Sequence, residues 1–138
     1  MKLINKDTDY AIRALDCIAR KDNEVVSVSE IAPELGIPKP FLRKILQILQ
    51  KEGKLKSYEG RNGGFTLAVP IDQIFLVDLI EIFQGPLKLT DCLFKKRICP
   101  DANCCLLKKK IEHIESLVAD ELKAVTIASV SSYQEHKT

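Results

Sequence analysis

A chain of 138 residues, 46% hydrophobic and 29% charged, has the composition of one soluble domain with a modest core. No run approaches the roughly 18 apolar residues of a membrane span, and Met1 to Lys6 lacks the apolar stretch of a secretion signal, so a cytoplasmic protein is expected. The net charge of +2 is unevenly spread: Lys39, Arg43, Lys44, Lys51, Lys54, Lys56 and Arg61 against Glu52 and Glu59 give residues 39–61 a charge of +5, leaving −3 elsewhere. Such a local basic stripe suits a phosphate-facing surface, although a merely solvated helix face carries the same charges.

Ala11, Ala14, Leu15, Ile18 and Ala19 recur at helical spacing and predict a first helix over Thr8 to Lys21, with Asp7 as its cap and Cys17 as a buried, inert thiol. Ser27-Val28-Ser29-Glu30 fits a capping box, so a short helix should follow and stop at Gly36, its last turn distorted by Pro33. After Ile37-Pro38-Lys39-Pro40, a second amphipathic helix should run to about Glu52. Phe41, Leu42, Ile45, Leu46, Ile48 and Leu49 form its apolar stripe, opposite Arg43, Lys44, Gln47, Gln50 and Lys51. Two helices around a short turn, the second exposing cations and amides, make a helix-turn-helix.

Leu55 to Glu59 and Phe65, Leu67, Val69 read as the arms of a hairpin. Its tip, Gly60-Arg61-Asn62-Gly63-Gly64, has the freedom of a wing, and Arg61 can enter a minor groove there rather than simply solvate a turn. Ile71 to Phe83 reads as a further core helix ended by Gln84-Gly85-Pro86. Asp91 to Cys105 lacks periodicity and reads as a loop. Beyond it Leu107, Ile111, Ile114, Val118, Leu122 and Val125 recur at spacings of three and four. That long helix is assigned to a homodimer seam, because helix-turn-helix proteins commonly bind DNA in pairs.

Four of the five cysteines (Cys92, Cys99, Cys104 and Cys105) fall within fourteen residues, with Cys17 apart. Without a secretion signal, such clustering favours metal binding or thiol chemistry over disulfides. The spacing matches neither the close pairs of zinc ribbons nor a ferredoxin run. Lys95, Lys96, Arg97 and Lys108 to Lys110 would favour thiolates and offset an anionic cluster. An iron–sulfur cluster, thiol-based sensing and zinc all remain open on this chemistry. A small redox enzyme built on vicinal Cys104 and Cys105 is the competing class, but no cofactor fingerprint accompanies them. The two histidines do not supply one either, and His113 should sit solvated on the long helix.

The chain resembles the bacterial winged-helix regulators that include IscR, NsrR, RirA and CymR. The resemblance rests on Thr8 to Arg13, Ile37 to Leu49, Gly60-Arg61-Asn62-Gly63-Gly64-Phe65-Thr66-Leu67, Gly85-Pro86 and the cysteine segment. It implies a mostly α (α+β) fold: one domain with a winged-helix part over 1–84, a cluster loop over 85–105 and a dimerisation helix over 106–132. It further implies a repressor of a double-stranded DNA operator rather than an enzyme acting on a small-molecule substrate. Lys39, Arg43, Lys44 and Gln47 would contact DNA from the recognition helix, and Arg61 from the wing.

By the same resemblance Cys92, Cys99 and Cys105 hold a 4Fe–4S or 2Fe–2S cluster. Cys104 or, by likeness to the nitric-oxide sensors, Asp9 is the possible fourth ligand. The chain departs from the pattern at Lys108, where the biogenesis regulator has a ligating histidine, and at Glu59, where the wing usually has arginine. Pro38, Pro40 and Arg43 also replace common serine and glutamate, so the operator should differ. The alternative is a cluster-free, thiol- or partner-dependent regulator of the CymR type.

Overall fold

Asn5, not Asp7, opens the first helix, α1 (Lys6–Arg20): its side chain accepts from the Thr8 amide at 2.9 Å, so the helix starts two residues early. Asp7 and Asp9 instead occupy the first turn, where the helix dipole favours acids. This is a computed structural model, and it describes residues 3–22, 24–88 and 102–131, with the backbone alone for 102–105.

The second helix, α2 (Val28–Leu35), is capped by Ser27, whose Oγ accepts from the Glu30 amide at 3.2 Å. Pro33 is accommodated inside it, and Leu35 still ends it as expected. The stop is a Schellman closure. Gly36 turns left-handed (φ +68), its amide donates to the Pro33 carbonyl, and the Ile37 amide donates to the Ala32 carbonyl. Ile37, 3% exposed, then pins the turn into the core before α3 (Lys39–Lys51) begins.

The strands β1 (Leu55–Tyr58) and β2 (Gly64–Leu67) pair antiparallel, with Leu55 opposite Leu67 and Tyr58 opposite Gly64. Val69 lies beyond the second strand. Val26 adds a bridge to the hairpin: its amide donates to the Phe65 carbonyl at 2.9 Å and the Phe65 amide donates back at 2.8 Å. The expected helix over Ile71 to Phe83 divides into a 3₁₀ turn (Ile71–Gln73) and α4 (Leu76–Gln84). The break has a non-local cause. Ile74 and Leu76 are bonded to the far end of the chain, the Ile127 amide donating to the Ile74 carbonyl at 2.8 Å and the Leu76 amide to the Val125 carbonyl at 2.9 Å.

The long helix, α5 (Ala102–Lys123), starts four residues before the expected Leu106, so Cys104 and Cys105 lie in its first turn instead of a loop. It also ends at Lys123, and a 3₁₀ turn (Ala128–Val130) follows. Among the described residues no helix is long and apolar enough to cross a membrane.

The main core gathers α1, α2 and α3 through Leu15, Ile18, Ile31, Leu42, Leu46 and Leu49, all at most 2% exposed, and is completed by Ile74, Leu79 and Ile127. A second cluster joins Leu76 and Ile80 of α4 to Leu122 of α5. A polar node ties the start of α1 to the end of α4: the Asn5 amide donates to Gln84 Oε1 at 2.9 Å, and the buried Thr8 hydroxyl lies 2.7 Å from the same oxygen.

Candidate nucleic-acid interface

Four apolar side chains of α3 (Leu42, Ile45, Leu46 and Leu49) are buried against α1 and α2, and this fixes which face the helix turns outward. Lys39, Arg43, Lys44, Gln47, Gln50 and Lys51 are all exposed on the remaining surface. The helix begins after Pro38, with Pro40 in the first turn, no side-chain cap and no acid there. Its positive end is therefore left without a carboxylate, which suits an anionic partner.

Arg61 sits exposed at the wing tip, and Lys56 is exposed on β1. The wing's reach is set at its root. Gly64 has φ +157, and a Cβ there would fall 2.3 Å from the Val26 carbonyl oxygen, so only glycine lets β2 lie this close to Val26.

Two expectations about this surface need correction. Phe41 does not belong to the buried stripe: it is 56% exposed, and Ile48 is only half-buried. The reason is position, since Phe41 lies at the margin of the apolar face, outside the buried core that Leu42, Ile45, Leu46 and Leu49 enter. Its ring instead meets Lys6, whose Nζ lies 5.9 Å from the Phe41 centroid and 5.5 Å from that of Tyr10. Lys54, counted in the basic stripe, turns away from it to Asp78 of α4, 4.0 Å distant. Charge counting along the chain cannot see that pairing. Nor does it single out Lys6, although its spacing of four from Tyr10 is a legible helical pair.

Cys17 is the buried thiol that the pattern predicts, 4% exposed and donating to Glu34 Oε2 at 3.5 Å. Burial first, then the Glu34 charge and hydrogen bond, push its pKa from 9.0 up to about 11, against the opposing Lys21 and Arg20. An unfolded thiol ionises near 9, so the stabilisation is present below pH 9 and is lost as pH rises through about 11. Denaturant titrations should therefore show the wild type losing more stability than Cys17→Ala between pH 8.5 and 10.5. Alkylation of Cys17 in the native protein should be slow, and rapid labelling at pH 8 would contradict this.

Cys92 and Cys99 lie outside the described residues. Cys104 and Cys105 occupy neighbouring backbone positions in the first turn of α5. Asp9 is half-exposed and 3.1 Å from the Arg13 guanidinium, an i,i+4 surface pair. His113 is solvent-exposed, as its helical position predicts. The expected apolar stripe is split, and its last member, Val125, lies beyond the end of α5. Leu122 is buried and Ile111, Val118 and Val125 are half-buried, whereas Leu107 and Ile114 are exposed, as are Leu106 and Leu117.

The family model described as "Rrf2: Iron-dependent Transcriptional regulator" matches residues 4–133. A chain of Aquifex aeolicus described as an HTH-type transcriptional regulator is 36% identical over 128 residues, covering 91% of this chain and 89% of its own. The HTH-type transcriptional regulator NsrR of Bacillus licheniformis is 32% identical over 138 residues, covering 99% of this chain and 96% of its own. Among solved structures, the global cysteine regulator CymR of B. subtilis superposes with a TM-score of 0.77 at 22% identity, covering 96% of this chain and 98% of that one. That last likeness establishes the winged-helix fold.

Proposed function

The chain belongs to the Rrf2 family of transcriptional regulators, and on that premise we propose that it is a homodimeric repressor that binds operator DNA and senses through an iron–sulfur cluster. The observation that carries the DNA reading is the outward face of α3, where Lys39, Arg43, Lys44 and Gln47 stand exposed over a fully anchored helix. Such a helix fits a major groove, its N-terminal residues at base edges. Arg43 suits guanine and Gln47 adenine, while Arg61 suits the adjacent minor groove. In this reading residues 1–84 read DNA, 85–105 sense, and 106–132 pair the subunits.

The donor set fits a cluster. Cys92, Cys99 and Cys105 would supply three soft sulfur ligands, and the lysines and arginine that surround them in the sequence would offset the charge of an anionic cluster. Asp9 or Cys104 completes the set. A carboxylate is a harder, weaker partner for iron than thiolate and would leave that position open to small molecules. When bound, the cluster supplies a group whose loss or oxidation registers iron, oxygen or nitric oxide. The protein's part is to hold it at the start of α5, so that its state bears on that helix.

Anaerobic purification with iron and sulfide counting tests the cofactor. A coloured protein is expected, bleached or made labile by serine at Cys92, Cys99 or Cys105; serine at Cys104 leaves the colour nearly unchanged if Asp9 is the fourth ligand and makes it labile if Cys104 is. Asp9→Ala should speed cluster loss in air if Asp9 is a ligand. If Asp9 serves only the helix dipole and Arg13, the variant should lose a few tenths to about 1 kcal/mol of stability. A colourless protein that still binds its operator would return the chain to the cluster-free, thiol-dependent reading.

The exposed half of α5 supports the dimer. Leu106, Leu107, Ile114 and Leu117 form an apolar surface on a helix whose other end is already packed. Ile114→Glu is expected to shift the protein to monomer in sedimentation at micromolar concentration. A variant that stays dimeric would move the seam elsewhere.

A further inference from the structure

Phe41 is the third residue of α3 and the most exposed aromatic side chain among the described residues, in a surface otherwise made of cations and amides. Isolated exposed apolar residues are ordinary, so exposure alone decides nothing. Three further observations bear on this one. The ring lies in the first turn of α3, the part of a recognition helix that meets base edges. It shares that turn with Lys39 and lies one helical turn from Lys44, both exposed. And Lys6 reaches across from α1 to lie 5.9 Å from its centroid, which places a further cation beside the ring.

A basic surface brings this ring to DNA, and a ring in a major groove has one apolar partner to find there, the C5-methyl of thymine. We propose that Phe41 is a specificity-determining residue that reads a thymine methyl in each half-site. Lys6, beside the ring on the α1 side, carries a cation to the neighbouring phosphate. The inference rests on the DNA-binding reading above and adds to it a base and the atom of that base that is recognised. It also explains why the ring stays at the surface: its burial is completed by the ligand.

The two readings separate in one experiment. Operator sequences are first selected from random duplex DNA with the wild-type dimer and with Phe41→Ala. Each thymine of the selected site is then replaced by deoxyuridine, which removes only the methyl, and binding is measured by anisotropy. One buried methyl corresponds to about 0.8 kcal/mol, or about fourfold in affinity, so about fifteenfold is expected when both symmetric thymines are replaced.

The wild type should show that loss at one symmetric pair of positions. Phe41→Ala should bind thymine and uracil there equally and no longer select thymine, while Phe41→Leu should retain part of the discrimination. Lys6→Ala should keep the discrimination and lower the salt slope by about 1. Wild-type protein that selects no sequence would sink the DNA-binding reading itself. A selected operator with no methyl effect, or with the same effect in Phe41→Ala, would overturn the assignment of Phe41 and leave DNA binding standing.

Discussion

Neutralising Arg43, Lys44 and Arg61 together is expected to weaken operator binding by roughly 10²-fold or more near 0.15 M salt. The magnitude follows from counterion release. Each phosphate contact adds about 0.9 to the slope of log K against log salt, so three contacts add about 2.7. If Arg43 makes a bidentate contact to guanine, its removal adds about 1–3 kcal/mol and relaxes specificity at that base. None of the three has an ion-pair partner among the described residues, and all are exposed, so stability should move by no more than about 0.5 kcal/mol. Lys54→Ala is the internal control. It carries the same charge in the same stretch of sequence but faces Asp78, so it should leave the salt slope almost unchanged. Equal slopes for the wild type and the triple variant would remove α3 and the wing as the DNA surface.

Gly64→Ala is expected to be the most damaging single-methyl change, costing about 3–5 kcal/mol. Three effects converge at this position. The backbone at φ +157 is strained for any other residue, at about 1–3 kcal/mol. The new Cβ would lie 2.3 Å from the Val26 oxygen, which is backbone and cannot rotate away. Separating the two segments then breaks the reciprocal Val26–Phe65 hydrogen bonds, at about 1 kcal/mol each. A small domain has about 5–15 kcal/mol in all, so the midpoint of denaturation should fall steeply with little change in slope. DNA affinity should fall as well, because the same bridge sets the height of the wing. A loss under 1 kcal/mol would show that the hairpin root moves freely from Val26.

The winged helix was legible because its signals are local. Ser27 three residues before Glu30, Gly36 after Leu35 and the glycine-rich tip at 60–64 each prescribe backbone geometry through short-range chemistry. The apolar periodicity of α3 likewise identified its four anchors. The misreadings have non-local causes. The break before α4 follows from bonds between Ile74 and Ile127, more than fifty residues apart. Lys54 leaves the basic face for an aspartate on another helix. Phe41 sits at the edge of the stripe, where periodicity alone cannot tell how wide the covering groove is. The early start of α5 has no signal in the sequence, because its first turn contains the cysteines and lacks a repeating apolar position.

The attachment of α5 has a mechanical consequence. Just past one end, Val125 and Ile127 are stitched to Leu76 and Ile74, while the other end carries Cys104 and Cys105, and Leu106, Leu107, Ile114 and Leu117 stand exposed along the helix. At 1.5 Å per residue, the 22 residues of Ala102 to Lys123 span about 33 Å. A tilt of about 10° at the stitched end therefore sweeps the cysteine end through about 6 Å, and a displacement at the cysteine end returns to the anchor reduced in distance but increased in force. The helix is a lever with its fulcrum beside α4. In a dimer that clasps two such levers, a slight change in their crossing angle resets the separation of the paired recognition helices, and DNA of fixed helical pitch accepts only one separation.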